Sequence, residues 1–140
     1  MTFVAVALIV TFLALSGLHV YWAGGGTWGF RVAIPEVDGK PALHPSPAVT
    51  IVVAELLGVA AVIVALAAHL VSLAWAPFWV VRVGAYGLAV VFAARTVGDF
   101  RTFGFAKRVH GTAFARNDTR IYSPLCAFIA AGSAFVAASA

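Results

Sequence analysis

Apolar residues run in long unbroken blocks along this chain, and the polar positions collect between them. Four blocks stand out: Thr2–Tyr21, Val49–Leu73, Phe78–Ala94 and Ile121–Ser139. Crossing roughly 30 Å of hydrocarbon at 1.5 Å per residue takes about 20 residues, so each block is close to a membrane span in length. Within a block the apolar character goes all the way round the helix instead of forming one stripe, as a lipid-facing helix requires. The alternation expected of a membrane barrel is missing. The pattern predicts an all-α fold: a four-helix transmembrane bundle forming a single domain over residues 1–140, with two long loops on one side.

Helix starts are marked by local chemistry. Ser46-Pro47 offers a capping hydroxyl and a proline at the first helical position, opening the second span. Ala76-Pro77 separates the second span from the third by a predicted turn of a few residues. Ser123-Pro124 disturbs the fourth. A helix beginning at Pro124 has 17 residues, about 25 Å and barely a span. The reading is therefore a start near Asp118 with a distortion at Pro124. The two long connections, Ala23–Ser46 and Arg95–Arg120, carry aromatics suited to the headgroup level and are expected to fold over the helix ends.

Composition agrees with the pattern. The chain is 63% hydrophobic and 10% charged, against about 25% charged in soluble domains. That excludes an ordinary soluble domain, a disordered chain and a disulfide scaffold, the last also because Cys126 is the single cysteine. The net charge of +4 is not read as a nucleic-acid signal, because the basic residues lie between apolar spans. Arg31 and Lys40 lie in the first long loop. Arg95, Arg101, Lys107, Arg108, Arg116 and Arg120 lie in the second, and only Arg82 falls inside a span. The positive-inside rule puts both loops in the cytoplasm and both termini outside, in a multi-pass protein of the cell's inner membrane. With no basic residue ahead of its apolar run, the N-terminus is not read as a cleaved signal peptide.

Three segments carry a resemblance: LHVYWAGGGTWG at 18–29, AIPE at 33–36, and ARTVGDFRTFGFAKRVHGTAFARNDTRIYSPLCAFIA at 94–130. Together they resemble an uncharacterised bacterial family of small four-span integral membrane proteins, a domain-of-unknown-function family. The resemblance covers essentially the whole chain. It implies the four-span fold and carries no activity across.

Ionisable groups within spans are candidates for function because burying them is costly. Glu55 lies roughly 12 Å along its helix from the loop side. A proton donor in a cavity and a polar helix–helix contact are both open to it. His19 ends the first span at a depth where it can meet Glu55, and an interfacial anchor is its alternative role. Glycines 24–26 are read as a turn that carries Trp28 inward. If the third helix continues past Ala94, Arg95 and Asp99 form an i, i+4 pair. Tyr122, one turn from Asp118, points to the same mouth. Lys107-Arg108 reads as a contact for anionic lipid, and Cys126 as small packing.

The predicted site thus has Glu55, His19 and Asp99 in catalytic, proton-moving roles. Trp22, Trp28, Arg95, Arg101 and Tyr122 hold the ligand. No metal and no cofactor is expected. The expected partners are membrane lipids, an amphipathic lipid- or isoprenoid-like small molecule bound or transformed at the mouth, and a second copy of the chain. A dimeric transporter or channel and an accessory subunit of a larger complex are the alternatives.

Overall fold

The computed structural model describes residues 1–140. The apolar blocks become four long helices: α1 (Thr2–Ala23), α3 (Pro47–Ala67), α4 (Phe78–Val97) and a continuous helix from Ala113 to Ser139. The last consists of α5 (Ala113–Asn117), a π-helical turn (Asp118–Tyr122) and α6 (Ser123–Ser139). All four are long and apolar enough to cross a membrane. A short helix α2 (Phe30–Ala33) and a two-stranded hairpin, β1 (Glu36–Val37) and β2 (Lys40–Pro41), lie in the first long loop.

The helix ends follow from specific residues. Ser46 Oγ accepts from the Val49 N–H at 3.3 Å, with Pro47 at the first helical position. Helix α1 ends in a Schellman motif: the Gly26 N–H donates to the Tyr21 carbonyl and the Gly25 N–H to the Trp22 carbonyl. Helix α3 stops the same way at Ala67, six residues before the expected end. There Leu70 N–H donates to the Ala65 carbonyl around His69, at φ 56°. The link to α4 is accordingly residues 68–77 and not a turn of a few residues. The hairpin turns on Asp38-Gly39, both at positive φ, the arrangement a two-residue turn of this hand requires.

The fourth helix starts at Ala113, earlier than Asp118, because Thr112 caps it by accepting from the Ala115 N–H at 3.0 Å. The expected distortion is present as the π-helical turn that ends just before Ser123-Pro124. Proline has no N–H to donate, so a helix that continues through it must loosen the turn before it.

The helices pack around one core in which Leu8, Phe12, Val64, Ile129 and Val136 are fully buried. Helix α1 runs antiparallel to α3, tied by Ser16 Oγ donating to the Ala54 carbonyl at 2.8 Å. Helix α4 pairs with α6, and Phe12 meets Phe92 edge-on across the middle. Gly132 of α6 lets Leu8 and Val4 approach so closely that a Cβ there would meet them at 3.2–3.3 Å. Only 26 of 140 residues are buried, while Val10, Leu13, Leu56, Val83, Val90 and Phe135 face outward. An apolar exterior around a small core is the inverse of a soluble fold, and it suits lipid. Exposed tryptophans stand at both ends, Trp28 on the loop side and Trp75 and Trp79 on the other, at the levels an interfacial belt occupies.

Candidate functional site

The C-terminal ends of α1 and α4 and the start of the Ala113–Ser139 helix meet on the side of the two long loops, and the loops fold over that mouth. Its polar groups fall into two assemblies.

The first is a buried charge node built on Asp118, which has no solvent exposure. Its Oδ1 accepts from Arg95 Nη2 at 2.9 Å. Its Oδ2 accepts from Lys107 Nζ at 3.0 Å, the Gly104 N–H at 2.8 Å and Ser123 Oγ at 3.1 Å. Lys107, only 4% exposed, spends its other donors on the Gly104 carbonyl and Thr119 Oγ1. The Arg95 guanidinium lies 4.4 Å from the centre of the Phe103 ring, so a cation–π contact serves the face of a group whose Nη1 is buried without a partner. Both oxygens of Asp118 are engaged, Oδ1 by one donor and Oδ2 by three. The node is a clamp that holds the second loop to the helix start.

Two expectations are corrected here. Arg95 and Asp99 do not pair along a helix, because α4 ends at Val97 and Gly98 turns the chain at φ 98°, ψ −172°, a conformation open essentially to glycine alone. A Cβ on Gly98 would collide with the Phe103 carbonyl and Gly104. Asp99 instead caps its own turn. Its Oδ1 accepts from the N–H groups of Arg101, Thr102 and Phe103, and its Oδ2 from Thr102 Oγ1. Slight burial works to raise its pKa. The bonds from the Thr102 hydroxyl and those three N–H groups outweigh that and hold the carboxyl well below the usual carboxylate range. Nor is Lys107 a surface contact for lipid: it is turned inward onto Asp118, while Arg108 stays exposed.

The second assembly surrounds His19. A cleft of about 440 Å³ lies between α2 and the chain leading to α3, lined by Phe30, Arg31, Ile34, Glu36, Pro41, Leu43, His44 and Pro45. A smaller space of about 140 Å³ adjoins it through Phe30, Ile34 and Pro45 and reaches His19, Trp22, Ala33, Val49, Thr50 and Val53. His19 Nδ1 is 2.7 Å from the Leu15 carbonyl oxygen. A carbonyl can only accept, so Nδ1 carries a hydrogen, and Nε2 makes no hydrogen bond within the protein. Trp22 packs edge-on against His19 and Phe30, and its Nε1 donates to the Trp28 carbonyl at 2.8 Å. Tyr122 Oη donates to the Val32 carbonyl at 3.2 Å, pinning α2 to the fourth helix.

Of the residues expected at the site, His19 and Trp22 line this space and Tyr122 braces it. Glu55 does not join them. It is exposed on the outer face of α3, while Thr50, Val53 and Ala54 take the side towards α1. Trp28 is not carried inward: its backbone carbonyl serves Trp22, and its side chain is 76% exposed. Arg101 is exposed, contributing backbone groups to the Asp99 turn. Reasoning from sequence missed Arg31, Ile34 and His44 as cleft walls, and Asp118 and Lys107 as the clamp. One signal pointed to the clamp: Asp118 and Asp99 are the only acids in a segment with six basic residues.

Four packed helices, each long and apolar enough to span a bilayer, define a small multi-pass membrane protein. The chain belongs to the family described as "Protein of unknown function (DUF3995)", which matches residues 12–133. No curated protein and no solved structure matches it.

Proposed function

We propose that this protein holds an amphipathic, lipid- or isoprenoid-like small molecule at the loop-side mouth of its bundle. The observation that carries the reading is the pair of adjoining spaces beneath α2. The inner one has aromatic and aliphatic walls around a single basic nitrogen, and the outer one has Arg31, Glu36 and His44 at its rim. A molecule with an apolar body and a polar end matches that gradient. His19 Nε2 is the group placed to accept a hydrogen bond or a proton from it. Glu55 and Asp99 leave the proposed chemistry: one faces outward and the other is spent on its own turn. The loop side, which carries all the basic residues except Arg82, is assigned to the cytoplasmic face of the inner membrane, with both termini outside.

Mass spectrometry of amphiphiles co-purifying in mild detergent tests the reading. Ile34→Trp fills the junction of the two spaces and should empty the site while the protein stays folded. An amphiphile retained equally by wild type and Ile34→Trp contradicts the assignment.

A second reading, a subunit that grips another membrane chain, is favoured by Glu55. Its carboxyl projects among outward-facing Val52, Leu56, Val59 and Val62, where a charged group facing hydrocarbon costs several kcal/mol. Glu55→Leu should then abolish a native-gel complex seen with wild type. An unchanged complex, or none with either, counts against it. Transport draws no support from an interior filled by Leu8, Phe12, Val64, Ile129 and Val136.

A further inference from the structure

Away from the cleft and the clamp, the outer side of the fourth helix carries a concentration of positive charge with no acid to balance it. The ion pairs of the structure are those of Arg95 and Lys107 with Asp118, so Arg116 and Arg120 stand outside any pair. Both line a cleft of about 220 Å³, together with His110, Gly111, Ala115 and Thr119, and none of these is acidic. Two like charges one turn apart repel, and the fold holds them there. Arg116 Nη1 is fixed on the Gly111 carbonyl at 2.9 Å, and Thr112 caps the helix between them. On the buried side, Lys107 grips Thr119 and Asp118 from below. The Arg120 guanidinium makes no hydrogen bond within the protein and is exposed at the cleft.

Depth identifies the ligand. The Ala113–Ser139 helix has 27 residues, about 40 Å at 1.5 Å each, against roughly 30 Å of hydrocarbon. Its uncharged stretch begins at Ile121, so the turns carrying Arg116 and Arg120 emerge into the headgroup layer. Paired guanidinium groups suit the geometry of phosphate oxygens, with which they form charge-assisted bonds.

We propose that this cleft is a phosphate-binding site filled by the headgroup of an anionic phospholipid. A net negative headgroup is preferred over a zwitterionic one, whose trimethylammonium the same cations repel. This site is separate from the His19 cleft and does not depend on a ligand there.

The test is native mass spectrometry of the protein in detergent, titrated with phosphatidylglycerol or with phosphatidylcholine of the same chains. Wild type should retain phosphatidylglycerol in preference. Arg116→Gln/Arg120→Gln should weaken that retention about tenfold, the equivalent of losing about 1.4 kcal/mol, while Lys40→Gln, an exposed cation on the same side, leaves it unchanged. Arg120→Gln alone removes no internal bond, so it reports even where the double variant folds poorly, and it should show part of the loss. Retention that persists in millimolar inorganic phosphate assigns the site to lipid. Displacement by inorganic phosphate assigns the same pocket to a soluble phosphate group. Equal retention of the two lipids by wild type, or wild-type retention by folded Arg116→Gln/Arg120→Gln and Arg120→Gln, overturns the proposal.

Discussion

Asp118 is the residue on which the loop side depends, because two cations and a hydroxyl are held in place by its one carboxylate. Removing one partner of a buried ion pair leaves uncompensated charge at a cost of about 3–5 kcal/mol. Asp118→Ala should therefore destabilise the protein by about that amount in detergent unfolding followed by circular dichroism. Asp118→Leu combined with Lys107→Met and Arg95→Met should recover much of the loss, since all three desolvated charges then go together; no recovery would mean the carboxylate matters for more than pairing. Ser133 predicts the opposite sign. Its hydroxyl is buried without a partner, so Ser133→Ala should be neutral or stabilising by about 1 kcal/mol in the same assay. Asp99 sets a pH dependence. Its folded pKa lies below its unfolded one, so its contribution is complete above about 3.9 and fades only as pH falls below that. Amide NMR shifts of Arg101, Thr102 and Phe103 in micelles should hold steady from pH 7 to about 4. A transition centred near 5 or above would contradict the turn described here.

At the scale of elements, the helices were legible because apolar length is a strong signal, and Ser46-Pro47 marked its boundary for a physical reason that the structure repeats. What failed was azimuth. The all-round apolarity that identifies a span also removes the stripe that tells which face turns inward, so the sequence gives no sign that Glu55 lies on the outer face of α3. Pairing Arg95 with Asp99 requires α4 to run on past Val97 to Asp99, and the stop at Gly98 depends on a close approach to Phe103 and Gly104 that no local pattern announces. Lys107 read as a surface charge because its partner lies eleven positions on, with Thr112 starting a helix between them. Gly98→Ala tests this element directly. The added Cβ meets backbone, so the second loop should lose its ordered fold. Amide exchange should rise across residues 98–107 while the α1–α3 pair stays protected, and wild-type protection in the loop would refute the close contact.

For the whole molecule, two hydrogen-bonded loop structures fold over one mouth of a charge-poor helical scaffold. One, carried by α2 and the hairpin, is pinned by Tyr122; the other is pinned by Asp118. Both depend on the same few turns of the fourth helix, so its π-helical segment joins the cleft to the clamp. The remaining face of that helix carries the paired arginines. The most direct test of the central claim is photo-crosslinking in native membranes, with a benzophenone amino acid in place of Phe30 in the cleft or of Trp79 at the far end. A discrete small-molecule adduct of one mass is expected at position 30, with only a spread of bulk-lipid adducts at position 79. The same spread at both positions would contradict a binding site under α2.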